Sequence, residues 1–220
     1  MVSLLVCAAC GGTDASSDPC TNEDPSTRYN PFAQGAVWSY KITPKMGNAV
    51  TGRKTTIIGL EDVGGPHAGV MAYKTHVELS AETKDVWQCT ASDLDVRFKT
   101  TYYNVSNAAY ETDVQTPYRL HLDESAAHTT NGAAWTETFS ETDTAPNQAP
   151  MTKTESLNWS VVSSAESITV LGVAYTALHV RRVNPKKSET VDYWYAKGVG
   201  KLKESGGDTT EELESFTPPP

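Results

Sequence analysis

The chain has 220 residues, with 18 Lys and Arg against 27 Asp and Glu, which gives a net charge of −9 at neutral pH. This length suits one large domain or two small ones, each with a hydrophobic core. An acidic chain without clustered Lys and Arg argues against phosphate recognition, so we expect no nucleic-acid partner. No apolar run approaches the roughly 20 residues of a membrane-spanning helix.

Residues 1–10 form a short apolar run that ends in Ala8, Ala9 and Cys10. This order is typical of a bacterial lipoprotein signal, with cleavage before Cys10 and a lipid on its sulfur. A start codon assigned too far downstream explains why no basic residue precedes the run. We expect residues 1–9 to be a signal-peptide remnant and Cys10 to be a membrane anchor. The alternative is a frayed N-terminus with incidental cysteines.

Residues 10–28 are small, polar and acidic and contain two prolines, a composition that cannot form a core. They are predicted to be a flexible tether between the lipid and a folded domain. Cys20 in this segment and Cys89 in the body are the cysteines left over, and they can pair in an oxidising compartment. We expect a location in the bacterial cell envelope. Gly11 after Cys10, in place of Asp, favours the outer membrane.

The body, residues 29–205, alternates between apolar and polar side chains with a period of two. Trp38, Tyr40 and Ile42 alternate with polar neighbours, and Leu94–Tyr102 has an apolar face opposite a charged one. This pattern is typical of half-buried antiparallel strands, with the apolar face inward and the charged face in solvent. Other strands are predicted at 53–60, 70–79, 85–90, 118–122, 134–141, 154–163, 167–170, 175–183, 190–196 and 200–204.

Turn residues such as Gly64-Gly65-Pro66 and Asn184-Pro185 separate these runs. The pattern predicts an all-β fold of about 10–11 strands in a single domain. Its curved antiparallel sheet forms a barrel, a half-barrel or a sandwich, because a flat sheet of this size exposes its edges. A short helix is allowed at Ser106–Asp113 or at Glu211–Phe216, the two segments outside the predicted strands where one fits. Residues 206–220 are expected to be a C-terminal tail.

Two segments resemble a known group of sequences. Residues 29–40 match the pattern Y-x-P-h-x-x-G-x-x-W-x-Y, and Tyr193–Glu204 contains an aromatic strand followed by Gly198-Val199-Gly200. Both patterns are similar to those of uncharacterised secreted lipoproteins of myxobacteria-like organisms. The resemblance implies a curved antiparallel sheet, loosely similar to the half-barrels of periplasmic lipoprotein carriers, and carries no known activity.

No nucleophile elbow, phosphate-binding loop or metal-ligand spacing occurs in the chain, so we expect neither catalysis nor a metal or cofactor. The aromatic residues, with 5 Trp and 10 Tyr, are the feature that favours a binding role. They either fill the core or line a concave face that holds an apolar ligand or lipid. The candidate residues are Trp38, Tyr40, Trp87, Trp135, Trp159 and Trp194. The alternative function is a structural or partner-binding envelope module with a filled core.

Overall fold

A computed structural model describes residue 20 and residues 24–46 and 50–220. Apart from one short 3-10 turn, Pro25–Thr27, the regular structure of this part of the chain is twelve β-strands. They are β1 (Val37–Pro44), β2 (Thr51–Gly64), β3 (His67–Leu79), β4 (Thr83–Ala91), β5 (Leu94–Tyr103), β6 (Ala109–Asp123), β7 (Ala134–Thr144), β8 (Met151–Val170), β9 (Val173–Asn184), β10 (Glu189–Ala196), β11 (Gly200–Gly206) and β12 (Thr209–Thr217).

Each strand pairs antiparallel with the next, and β12 pairs with β1, so the sheet closes into a barrel. The prediction of an all-β curved antiparallel sheet is confirmed, and of the three forms it allowed the protein adopts the barrel. Closure removes both sheet edges, which is the physical reason for preferring a barrel over an open sheet.

The differences from the predicted strands lie where the alternation is weak. The segment Ser106–Asp113 is not helical, because β6 begins at Ala109 and continues to Asp123. The two runs at 154–163 and 167–170 belong to one long strand, β8. The region expected to be a C-terminal tail contains β12, so Glu211–Phe216 is extended and not helical.

Charge pairing inside the barrel explains why the acidic β12 forms a strand. Glu211 accepts hydrogen bonds from Arg53 of β2 at 3.0 Å and from Lys201 of β11 at 2.8 Å. Leu213 on the same face is buried, and Lys201 also bonds Glu204. We call Arg53, Lys201, Glu204 and Glu211 the interior ion network, and it joins the strands on both sides of β1.

The first half of strand β5, up to Phe98, is oriented opposite to the expectation from its sequence. Asp95 is completely buried and Arg97 lines a cavity inside the barrel, although both belong to the face expected in solvent. Val96 and Phe98 lie on the other face in an apolar cluster that includes Val63, Ala72, Trp87, Cys89 and Leu120, with Cys20 packed against it. The apolar face is therefore outside the barrel and is covered by the β2–β3 hairpin and the N-terminal segment.

The segment before β1 closes one end of the barrel. Arg28 lies 3.4 Å from Asp93 and 3.5 Å from Glu124, in two different interstrand connections. The backbone N–H groups of residues 29 and 30 donate to Glu124 at 2.9 and 3.1 Å. In a third connection, the N–H of Gly198 donates to the carbonyl of Arg28 at 2.8 Å. The end of the predicted tether is thus packed against the barrel.

Cys20 and Cys89 form a disulfide bond, a pairing that the sequence allows. It ties the N-terminal segment to β4 on the outer face of the barrel. The predicted signal remnant and the predicted anchor Cys10 lie outside the described residues. Within the described part of the chain, no helix is long and apolar enough to cross a membrane.

Removing the disulfide should destabilise the protein. We expect the double variant Cys20→Ala, Cys89→Ala to lose about 2–4 kcal/mol in free energy of unfolding, because the bond links residues 69 positions apart and restricts the unfolded chain. Urea denaturation measures this difference. Reductant should lower the stability of the parent protein by a similar amount and leave the double variant unchanged. Equal stability of parent and variant contradicts the prediction.

Candidate functional site

The interior of the barrel contains a cavity of about 220 Å³ that is partly open to solvent. Every strand except β7 and β12 contributes a lining residue, and Asn30 contributes from the closing segment. The lining residues are Asn30, Trp38, Tyr40, Arg53, Thr55, Ile57, Thr75, Val77, Lys84, Val86, Gln88, Arg97, Arg119, Leu120, His121, Trp159, Arg182, Tyr193, Lys201 and Glu204. The wall is therefore mixed, and it is not the continuous apolar face that was expected for a lipid.

The charges on this wall are mostly positive. Six lining residues are Lys or Arg, whereas Glu204 is the one acidic residue among them. This balance is the reverse of the whole chain, whose net charge is −9. Arg53 and Lys201 are neutralised within the interior ion network, and Arg182 lies 3.7 Å from Glu189.

The remaining three, Lys84, Arg97 and Arg119, have no carboxylate within 4 Å in the described part of the chain, and we call them the unpaired cations. Arg97 and Arg119 are direct cross-strand partners on β5 and β6. Side chains of such partners on one face start roughly 5 Å apart, and like charges at this distance repel. Their contacts are with rings or with the cavity: Arg119 lies 5.8 Å from the Phe139 ring centroid, and Lys84 lies 5.6 Å from that of Tyr102.

The electrostatics of the cavity reflect this arrangement. Burial, followed by the charge of Arg119, lowers the pKa of Arg97 to about 10. Burial, followed by the charge of Arg97, lowers the pKa of Lys84 to about 8. Both residues keep some accessible surface because they face the cavity, but the surrounding strands remove them from bulk water. A cation without a counter-charge in such a place is destabilising.

A buried polar cluster lies at the end of the cavity that the segment before β1 covers. Asn30 donates a hydrogen bond to Asp95, whose carboxyl has a pKa raised well above its usual value by burial. His121 lies beside them, 3.8 Å from Asp95, and burial holds its pKa well below the usual value. The pairing of β5 with β6 slips by one residue at this position, and the slip places the ring inside.

The aromatic candidates separate into two groups of three. Trp38, Tyr40 and Trp159 line the cavity. Trp38 donates to the carbonyl of Val199 at 2.6 Å, and Tyr40 donates to that of Lys201 at 3.1 Å. These bonds fix two of the rings in the wall.

The other three candidates lie away from the cavity. Trp87 is on the outer face, where the ammonium of Lys99 lies 3.7 Å from its ring centroid. Trp135 stacks on His128, with ring centroids 4.2 Å apart. Trp194 stacks in the same way on His179 on the outer face and donates to Glu166 at 2.9 Å.

Three carboxylates near the opposite end of the barrel could in principle hold a cation. Oxygen atoms of Asp113, Glu141 and Asp143 all lie within 4.8 Å of one another. The ammonium group of Lys153 binds Glu141 at 2.9 Å and Asp143 at 2.8 Å. Burial and the charge of Glu141 raise the pKa of Asp113 to about 7, which further lowers the negative charge. Lys153 thus supplies the cation, and we assign no metal.

Sequence reasoning missed the cationic wall altogether. No two of Lys84, Arg97 and Arg119 lie within ten residues of each other, so no motif connects them. The sequence did contain one signal, in β4, where the apolar residues Val86, Trp87 and Cys89 interrupt the alternation. In the structure, the run from Val86 to Cys89 is consecutively buried. Such a run indicates a strand that is covered on both faces.

No family model matches the chain, and no significant similarity to a curated protein or a solved structure was found. The resemblance to secreted lipoproteins therefore stays an expectation.

Replacing an unpaired cation by an apolar residue should stabilise the ligand-free protein. We expect Arg97→Met to raise the free energy of unfolding by about 1–3 kcal/mol, because it removes a buried charge that faces Arg119. Urea denaturation and refolding in buffer without polyvalent anions provide the measurement. Arg181→Met is the matched control, since Arg181 is on the outer face and bonds Asp192. This control should lower the free energy of unfolding by at most about 1 kcal/mol. Destabilisation by Arg97→Met contradicts the prediction.

Proposed function

We propose that this protein is a non-catalytic binding protein of the bacterial cell envelope that holds a small anionic molecule inside its barrel. The observation that carries the proposal is the cavity of about 220 Å³ with three unpaired cations in its wall. A bound anion supplies the counter-charge that Lys84, Arg97 and Arg119 lack, and enclosed sites strengthen such interactions because water is excluded.

The lining residues favour binding over chemistry. Neither Ser nor Cys is among them, and Nδ1 of His121 has no hydrogen-bond partner among the residues that the structure describes, so no hydroxyl is activated there. Some polar groups on the wall, such as Tyr40 and Lys201, are fixed by other contacts, which suits a partly preformed site. The aromatic residues predicted an apolar ligand, and we now propose an anionic one because of the charges on the wall.

The envelope location rests on the sequence and on the disulfide. Bonds such as Cys20–Cys89 persist in oxidising compartments, which agrees with export of the chain. A lipid on Cys10 attaches the barrel to the membrane, with the outer membrane favoured. Mass spectrometry of the protein extracted from its native host tests this part. We expect a diacylglyceryl or triacyl mass at an N-terminal Cys10, and an unmodified chain starting at Met1 contradicts it.

A second candidate is a structural or partner-binding module without a ligand. It is favoured by the ring stack of Trp135, Trp159, Tyr193 and Tyr195, whose successive centroids lie 6.1 Å apart and which fills part of the interior. In this case, the cavity holds only water, and the unpaired cations are a stability defect without a role.

Calorimetric titration with single-ring compounds separates the two candidates. We expect benzoate, benzenesulfonate and phenyl phosphate as a class to bind, and neutral benzamide to bind at least about tenfold more weakly, because only the anions neutralise the wall. Arg97→Met should weaken anion binding by about 10- to 100-fold, while Arg181→Met leaves it unchanged.

The outcomes decide between a site for an anion, a site for an apolar ligand and a structural module without a ligand. Equal binding of benzamide and the anions contradicts the anionic site and returns the ligand to the apolar class. Absence of binding by all four compounds contradicts the proposal and favours the structural module.

A further inference from the structure

We infer that the ligand of this cavity is a dianionic tetrahedral group, a phosphate or phosphonate, joined to a single small ring. This inference rests on the proposed anion-binding function and specifies its ligand class. The observations that carry it are the number of unpaired cations, their placement on adjacent strands, and the volume left beside them.

The charge follows from the residues that cannot lose a proton. Lys84 can become neutral by releasing its proton, but the guanidinium groups of Arg97 and Arg119 stay charged under all ordinary conditions. The wall therefore carries two permanent positive charges that form no direct ion pair in the described part of the chain. A carboxylate or a sulfonate neutralises only one of these charges and leaves a buried guanidinium unpaired. A dianion neutralises both, and Lys84 then contributes a third hydrogen-bond donor in its charged form.

The geometry of the two arginines fits a tetrahedral oxyanion. As cross-strand partners on one face, they present two donor forks that start from neighbouring positions on β5 and β6. Each fork can bind two oxygen atoms in parallel, and a phosphate group offers three terminal oxygens to share between them. A flat carboxylate has two oxygens and can satisfy one fork in this way.

The volume sets the size of the rest of the molecule. An engineered apolar cavity of about 150 Å³ in another protein binds benzene, and one water molecule takes up about 30 Å³ in the liquid. The cavity of about 220 Å³ therefore holds one six-membered ring and a head group of about two water volumes. A fused ring system or a fatty acyl chain exceeds this space.

The apolar part of the wall, two residues of which flank Lys84, suits such a ring. Trp38, Trp159 and Tyr193 contribute aromatic surface, and Val77 and Val86 contribute aliphatic surface. Stacking or edge contacts between rings add binding beyond the area that they bury. Inorganic phosphate satisfies the two arginines but leaves this part of the wall in contact with water.

Calorimetric titration of the disulfide-bonded protein with phenyl phosphate, benzoate and inorganic phosphate tests the inference. We expect phenyl phosphate to bind at least about tenfold more tightly than benzoate, because it neutralises the second arginine. We also expect it to bind at least about tenfold more tightly than inorganic phosphate, because it covers the aromatic wall.

Variants distinguish the head-group site from general charge effects. Arg119→Met should reduce the affinity for phenyl phosphate by about 10- to 100-fold and should remove most of its advantage over benzoate. Arg181→Met and Lys54→Met, which change cations on the outer face with carboxylate partners, should leave both affinities unchanged. Thermal unfolding without ligand verifies that the Arg119 variant is folded.

The possible results separate the failure of this inference from that of the proposed function. If benzoate binds as tightly as phenyl phosphate, the ligand is not a dianion, while the anion-binding function stands. If inorganic phosphate binds as tightly as phenyl phosphate, the inference that the ligand contains a ring is wrong. Failure of all three anions to bind overturns the proposed function together with the inference.

Discussion

Closure of the barrel at β1 and β12 is the constraint on which the rest of the structure depends. The interior ion network supports it, since Glu211 of β12 bonds Arg53 of β2 and Lys201 of β11 on either side of β1. Acidic residues have low strand propensity, and β12 is rich in them, so tertiary contacts rather than local preference make this segment a strand. Once β12 pairs with β1, no sheet edge remains and strands surround the interior on all sides.

Burial inside the barrel makes each inward-facing charge costly unless it has a partner. Charges within the interior ion network have partners, whereas Lys84, Arg97 and Arg119 do not, and the strands around them remove the water that solvates a cation elsewhere. The barrel therefore carries a stability defect at one place in its wall. Defects of this kind are typical of binding sites, where groups are held ready for a partner instead of for each other.

Much of the fold could be predicted from period-two patterns and turn residues, as in β1 with Trp38 and Tyr40. The orientation of the first half of β5 could not be predicted in this way. Its apolar face, with Val96 and Phe98, has the same alternation whether it is covered by the barrel interior or by a segment on the outside. The cover consists of Val63, Ala72 and Cys20, which are more than twenty residues away, and single-strand periodicity contains no information about them. The cavity was missed for the same reason, because Arg97 lies on the face assigned to solvent.

The contrast between the outer charge and the cavity charge bears on how an anion is recognised. A net charge of −9 repels anions at long range, although salt at physiological concentration screens this repulsion beyond about 8 Å. The field of the whole protein therefore gives no steering toward the barrel, and attraction begins only where the unpaired cations are within a few ångströms. Selectivity must then come from short-range contacts with Arg97 and Arg119, which act on the residence time of the ligand more than on its rate of encounter.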